Sequence, residues 1–152
     1  MKLSELLCAD RVRHNVETSS KKAVLEILSE LLSVEFPSVT TREIFNCLVN
    51  REKLGSTGLG QGVAIPHGRI NKIEKPMCVF LHLKTAVDFD APDNKPVDLV
   101  FGLIVPEEST EEHLQILSGI AEQLSQPGFA ESLRDTQSAG QLLELITAEN
   151  CS

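Results

Sequence analysis

Two nearly continuous apolar runs constrain this chain more than anything else in it: Met77-Cys78-Val79-Phe80-Leu81-His82-Leu83 and Asp98-Leu99-Val100-Phe101-Gly102-Leu103-Ile104-Val105. Runs of that length, without the polar alternation of a one-sided sheet, suit central strands covered on both faces. The segment between them, Asp90-Ala91-Pro92-Asp93-Asn94-Lys95-Pro96, is loop. A sheet covered on both faces needs helices on both sides, and the rest of the chain supplies them. Ser19 and Ser20 precede Ala23, Val24, Ile27, Leu28, Leu31 and Leu32 at helical spacing, until Pro37 stops the pattern. Thr40 and Glu43 form a capping box before Ile44, Phe45, Leu48 and Val49, in a helix ending near Lys53 and Gly55. Ser109 with Glu112 caps a helix carrying Leu114, Leu117, Ile120, Ala121 and Leu124, which stops before Pro127-Gly128. A short helix over Phe129 to Leu133 follows, and Ser138 with Gln141 caps a last helix carrying Leu142, Leu143, Leu145 and Ile146. The expectation is an α/β layered sandwich forming a single domain over residues 1–152, with its core at about 3–148.

Composition removes several classes of function. With 14 basic against 22 acidic residues the formal charge is −8, so there is no cationic surplus to neutralise nucleic acid or an anionic membrane. Aromatic residues make up 4%, with no Trp and no Tyr, which removes the usual platforms for stacking bases. The four cysteines, Cys8, Cys47, Cys78 and Cys151, are scattered without a C-x-x-C pair, as expected of reduced thiols. No signal-like segment and no apolar stretch of about 18 residues occurs, so a cytoplasmic protein is expected. The histidines and cysteines show no metal-ligand spacing, and no metal or organic cofactor is expected.

The stretch Gly55-Ser56-Thr57-Gly58-Leu59-Gly60-Gln61-Gly62-Val63-Ala64-Ile65-Pro66-His67-Gly68 carries the candidate chemistry. It fits neither a P-loop nor a dinucleotide fingerprint. Its glycines allow backbone N–H groups to converge on an anion, and Ser56 and Thr57 add hydroxyls. Ser56, Thr57, Gly58, Gly60, Gly62 and Gly68 are therefore the expected phosphate-binding set. Pro66 fixes the backbone ahead of His67 while Gly68 leaves room beside the ring, so His67 reads as an accessible nucleophile or base. His113, in the first turn of its helix, has two readings: a hydrogen-bond donor to an anion on His67, or a buried histidine satisfied by a carbonyl. Arg51, in the last turn of its helix, likewise either reaches an anion at the loop or balances the helix dipole. His82 reads as a satisfied sheet histidine, and His14 as a surface residue without company.

The segment Arg51-Glu52-Lys53-Leu54-Gly55 through Ile65-Pro66-His67-Gly68 resembles the phosphorylation segment of enzyme IIA proteins of the bacterial phosphotransferase system, mannitol/fructose type. The nitrogen regulatory branch is the nearest. The resemblance extends from Ser20-Lys21-Lys22 through Asp88-Phe89-Asp90 and Pro96-Val97-Asp98-Leu99 to His113-Leu114 and the last helix. It implies a mixed β-sheet with helices on both sides and a phosphotransferase activity. By the same resemblance, His67 matches the phosphoryl-accepting histidine, His113 the second histidine at the phosphate, and Arg51 the nearby arginine. The implied donor is a histidine-containing phosphocarrier protein, and the implied output is regulation by phosphorylation state, with its target unnamed. Two alternatives stand beside it: a sugar-specific transport subunit passing phosphate to a IIB domain, and a non-enzymatic anion-binding module.

Overall fold

The two apolar runs form the long central strands of a computed structural model that describes residues 3–108 and 110–148. Strands β5 (Met77–Val87) and β6 (Val97–Pro106) pair antiparallel, with Phe80 opposite Phe101 and the two ring centroids 4.4 Å apart. Because side chains alternate along a strand, these two elements feed two separate cores. Met77, Val79, Leu81, Val100 and Ile104 enter one; Cys78, Phe80, Leu99, Phe101, Leu103 and Val105 enter the other. Helices α2 (Lys21–Ser33) and α3 (Thr41–Lys53) close the first. The second lies under α4 (Thr110–Leu124), α5 (Phe129–Arg134) and α6 (Ala139–Thr147), with Leu6 of the short α1 (Leu3–Leu6).

The sheet has six strands and is mixed. Strand β1 (Val12–Val16) runs parallel to β5, while β3 (Val63–Ala64) and β4 (His67–Ile70) both run parallel to β6. Strand β2 (Gly58–Gly60) lies antiparallel to β3 at the edge, in the order β1-β5-β6-β3-β2. Pro66, which has no N–H to give a ladder, separates β3 from β4, and its carbonyl accepts from the Leu103 N–H at 2.9 Å. His67 is thereby the first residue of a strand pinned to the centre of the sheet.

The caps expected from sequence form as written. Ser20 Oγ accepts from the Ala23 N–H, Ser138 Oγ accepts from the Gln141 N–H, and Thr40 with Glu43 makes both bonds of a capping box. Each is worth about 1 kcal/mol. Ser109 lies outside the described residues, and Cys151 does too; Cys8, Cys47 and Cys78 are free thiols.

Two sequence expectations are corrected by the fold. His14 is not a solitary surface residue: it lies in β1, stacks on His82 at 4.6 Å between ring centroids, and donates from Nε2 to the Thr136 carbonyl at 2.8 Å. His82 accepts from the Asn15 N–H at 3.1 Å, as befits a satisfied sheet histidine. The glycine-rich stretch, read as an anion loop, is a β-hairpin. Gln61 and Gly62 both take positive φ, 58° and 82°, at its turn. Arg134 braces that turn, donating from Nε to both Asp98 oxygens and from Nη2 to the Gln61 carbonyl. A Cβ on Gly62 would come within 2.4 Å of Arg134 Nη2, so the turn and its brace together demand glycine there.

Candidate functional site

His67 is held by its own chain. Its Nδ1 lies 2.7 Å from the Ile65 carbonyl, which can only accept, so Nδ1 carries the proton and Nε2 presents a lone pair. Arg51, in the last turn of α3, donates from Nε to that Nε2 at 3.2 Å and from Nη1 to the Gly55 carbonyl at 2.8 Å. Burial holds the His67 pKa below the usual histidine value; the Ile65 bond pulls it up, and the Arg51 charge adds to the lowering. The ring is consequently neutral near pH 7, with its one lone pair on Nε2, where it accepts from Arg51.

His113, from the first turn of α4, stands edge-on to His67 with ring centroids 5.1 Å apart and planes at 69°. Its Nε2 is buried without a hydrogen-bond partner among the described residues. Burial pushes its pKa down to about 4, and the nearby His67, Arg69 and Arg51 push the same way. A polar atom left in that condition costs free energy unless something fills the gap. The space between the rings opens into a depression of about 790 Å³, lined by both histidines, Arg51, Arg69, Gly68 and Cys47. Leu54 and Leu114, 84% and 63% exposed, stand at its rim.

The structure thus brings together His67, His113, Arg51 and Gly68, but it does not bring Ser56, Thr57, Gly58, Gly60 or Gly62 to the depression. The physical reason is that their polar groups or backbone are committed elsewhere. Ser56 Oγ donates to the Phe89 carbonyl at 2.6 Å and accepts from the Gly58 N–H at 3.0 Å. Thr57 Oγ1 donates to Glu52, and Gly60 and Gly62 belong to the hairpin. The sequence reading also missed the leucine rim. The sequence offers Leu114 only as one of the apolar residues of its helix, and the buried positions there are Ile116, Ile120, Gln123 and Leu124. Two residues from Ile116 is about 200° around a helix, so the outward aim of Leu114 was there to be found. Cys47 is a half-buried thiol in the depression, donating to the Arg69 carbonyl at 3.3 Å. Burial raises its pKa, so it offers no thiolate to pair with His67.

A neutral imidazole with one lone pair, flanked by a guanidinium and an unpartnered ring nitrogen of a second histidine, is suited to take up a tetrahedral anion covalently. The family model for EIIA 2 of the phosphoenolpyruvate-dependent sugar phosphotransferase system matches residues 5–149. The chain belongs to that family. This EIIA 2 protein is 44% identical to a nitrogen regulatory protein of Pseudomonas aeruginosa, over 96% of its own length and 95% of the other's. It superposes on the crystal structure of nitrogen regulatory protein IIA-Ntr from Neisseria meningitidis with a TM-score of 0.91 at 44% identity, covering 95% of this chain and 99% of that one. Mannitol IIA from Escherichia coli shares the fold at a TM-score of 0.77 and 26% identity, over 92% of this chain and 98% of that one. Membership makes the EIIA 2 protein a phosphoryl carrier of that system, with its greater likeness to the nitrogen regulatory type. Among its described residues no helix is long and apolar enough to cross a membrane.

Proposed function

We propose that Nε2 of His67 accepts a phosphoryl group from the phosphohistidine of a histidine-containing phosphocarrier protein in the cytoplasm, and that the two resulting states of this chain are told apart by a regulatory target in nitrogen-related control. The observation that carries the reading is the Nδ1 bond to Ile65, which leaves Nε2 as the ring's nucleophilic atom. In the transfer, the Nε2 lone pair forms the new P–N bond as the donor's P–N bond breaks, and the donor imidazole leaves with that electron pair. The His67 ring gains positive character, which the Ile65 carbonyl accepting from Nδ1–H stabilises. No proton has to move. The Arg51 Nε–H that now faces Nε2 turns to the phosphoryl oxygens, and the unpartnered His113 Nε2 supplies a second donor. Exchange between two imidazoles is nearly balanced, so positioning and charge supply the catalysis. Leu54 and Leu114 give the donor an apolar rim to seat against around the nucleophile.

The output reading follows identity: 44% to two nitrogen regulatory proteins, from Pseudomonas aeruginosa and Neisseria meningitidis, against 26% to mannitol IIA favours signalling over onward transfer to a IIB domain. A doubly charged group placed on Nε2 at the centre of the rim changes what that surface will bind. The test is incubation with phosphoenolpyruvate, enzyme I and the carrier protein, followed by intact mass and nitrogen-15 NMR of the imidazoles. A single acid-labile phosphoryl on His67 Nε2, lost in His67→Ala, is the expected result. Modification of Nδ1, or of any other residue, refutes the assignment, and rapid passage to a purified IIB domain would favour the transport reading.

A further inference from the structure

Behind the site lies a second charged cluster, separate from the depression. Glu52 follows Arg51 in the last turn of α3, so the two side chains diverge: Arg51 faces His67, and Glu52 turns into the protein, where only 5% of its side chain remains exposed. There the Glu52 carboxylate accepts from Thr57 Oγ1, from the Thr57 N–H at 3.3 Å and from Lys21 Nζ at 2.8 Å. Lys21, at the start of α2, also donates to the Phe89 carbonyl at 3.4 Å, the same carbonyl that Ser56 Oγ reaches at 2.6 Å. The carboxylate ties α2 and Thr57 to the end of α3, and through Lys21 and Ser56 the loop around Phe89 joins the same cluster.

What this knot fixes is the short turn between α3 and β2, and the middle of that turn is Gly55, whose carbonyl holds Arg51 Nη1 at 2.8 Å. A planar guanidinium pinned at one end aims its Nε at a set place, here His67 Nε2 at 3.2 Å. Buried charges are kept where their partners are good, and this one has partners on both sides of a flexible glycine turn. We propose that Glu52, clamped by Lys21 and Thr57, is a positioning residue for phosphoryl transfer: it fixes the Gly55 carbonyl, which aims Arg51 at His67. The inference rests on the phosphoryl-acceptor reading for its kinetic arm, and on the unphosphorylated geometry for its spectroscopic arm.

Loosening the clamp releases the aim of Arg51 while removing neither leucine of the docking rim. A displacement of about 1 Å in a catalytic group can cost roughly a hundredfold in rate. Glu52→Gln is the direct variant, and Thr57→Val, which removes one hydroxyl from the same carboxylate, is the milder companion if Glu52→Gln folds poorly. In the free protein, both variants should broaden or shift the Arg51 Nε–H resonance and the His67 Nε2 shift. In single-turnover transfer, the first-order step should fall at least tenfold while the concentration dependence on the carrier protein stays unchanged. The Glu52 charge also acts on His67 directly, so the deciding arm is a double-mutant cycle of Arg51→Ala with Thr57→Val, which keeps that charge: in the Arg51→Ala background Thr57→Val should have little further effect, because the clamp acts through Arg51. Additive losses, an altered carrier dependence, or an unmoved Arg51 resonance would overturn the positioning role. A wild-type protein that takes no phosphoryl group on His67 would overturn the acceptor reading instead, with the Arg51 resonance still testing the clamp.

Discussion

Arg51→Ala separates the two roles the geometry gives this side chain, because they move two observables in opposite senses. Its positive charge beside His67 disfavours protonation of that ring, so removing it should raise the His67 pKa toward the ordinary histidine value and make Nε2 more basic. A more basic nitrogen is intrinsically the better nucleophile, and on that account alone transfer would quicken. Against this stands the charge on the incoming phosphoryl group. A unit pair at 4 Å is worth about 4 kcal/mol at an effective dielectric of 20. Arg51 Nε lies 3.2 Å from Nε2, the proposed acceptor atom, but the side chain is only half-buried, so solvent reduces that to about 1–3 kcal/mol. The net expectation is a fall of about ten- to a hundredfold in the first-order transfer step, with the His67 titration midpoint moving up. Quenched-flow transfer from the phosphorylated carrier gives the rate, and the His67 ring proton followed by NMR gives the midpoint. The gap between wild type and variant should also narrow at high salt. A variant that transfers as fast as wild type, or whose His67 titrates lower, refutes the electrostatic account of Arg51.

His113→Ala should slow uptake and shorten the life of the phosphorylated form, by about tenfold or more, while His113→Gln, which keeps an N–H donor, should recover part of the loss; single-turnover rates and decay of the label check both. The lowered pKa values of His67, His82 and His113 make the folded state bind fewer protons than the unfolded chain below pH 6.5. Their contribution to stability is therefore fully present above that pH and is lost as pH falls through the folded values, about 4 for His113, so urea midpoints should drop between pH 7 and pH 5. Gly102→Ala puts a Cβ 2.7, 3.0 and 3.2 Å from three atoms of the fully buried Leu28, and should cost about 1–3 kcal/mol. Combined with Leu28→Ala it should cost less than the sum of the two single changes, as read from urea unfolding; strict additivity would mean that α2 does not pack on β6 as described. Arg134→Ala leaves Asp98 half-buried without its partner and should destabilise the hairpin by about 1–3 kcal/mol, with the His67 transfer rate unchanged.

Where a segment's environment is uniform along its length, the sequence was enough. Residues 77–83 and 98–105 are apolar because both faces of β5 and β6 are covered, so composition alone declared them central strands. Thr40 with Glu43 declares a helix start because the capping bonds are local, needing no other part of the chain. The short strands were not legible. Strand β1 reads Val-Arg-His-Asn-Val, and its pairing with β5 and the stacking of His14 on His82 exist only once residues far apart in sequence meet. The glycines were legible as glycines but misread as to purpose. Positive φ serves an anion cradle and a tight hairpin equally well, and the choice was made by Arg134 and Asp98, distant partners that brace the turn.

The candidate site divides along the same line. Pro66-His67-Gly68 marked the candidate nucleophile, because a ring framed by a stiff residue and a small one is conspicuous in any fold, and Arg51 and His113 could be nominated by residue type. Which nitrogen bears the lone pair was not decided by residue type. That depends on the Ile65 carbonyl reaching Nδ1 and on α3 delivering a guanidinium to Nε2, while α4 buries beside it a second imidazole whose Nε2 has no hydrogen-bond partner among the described residues. Residue identity fixes what chemistry a side chain can perform; direction, burial and neighbouring charge are properties of the assembled layers. Here those layers gather three ordinary side chains around one ring nitrogen.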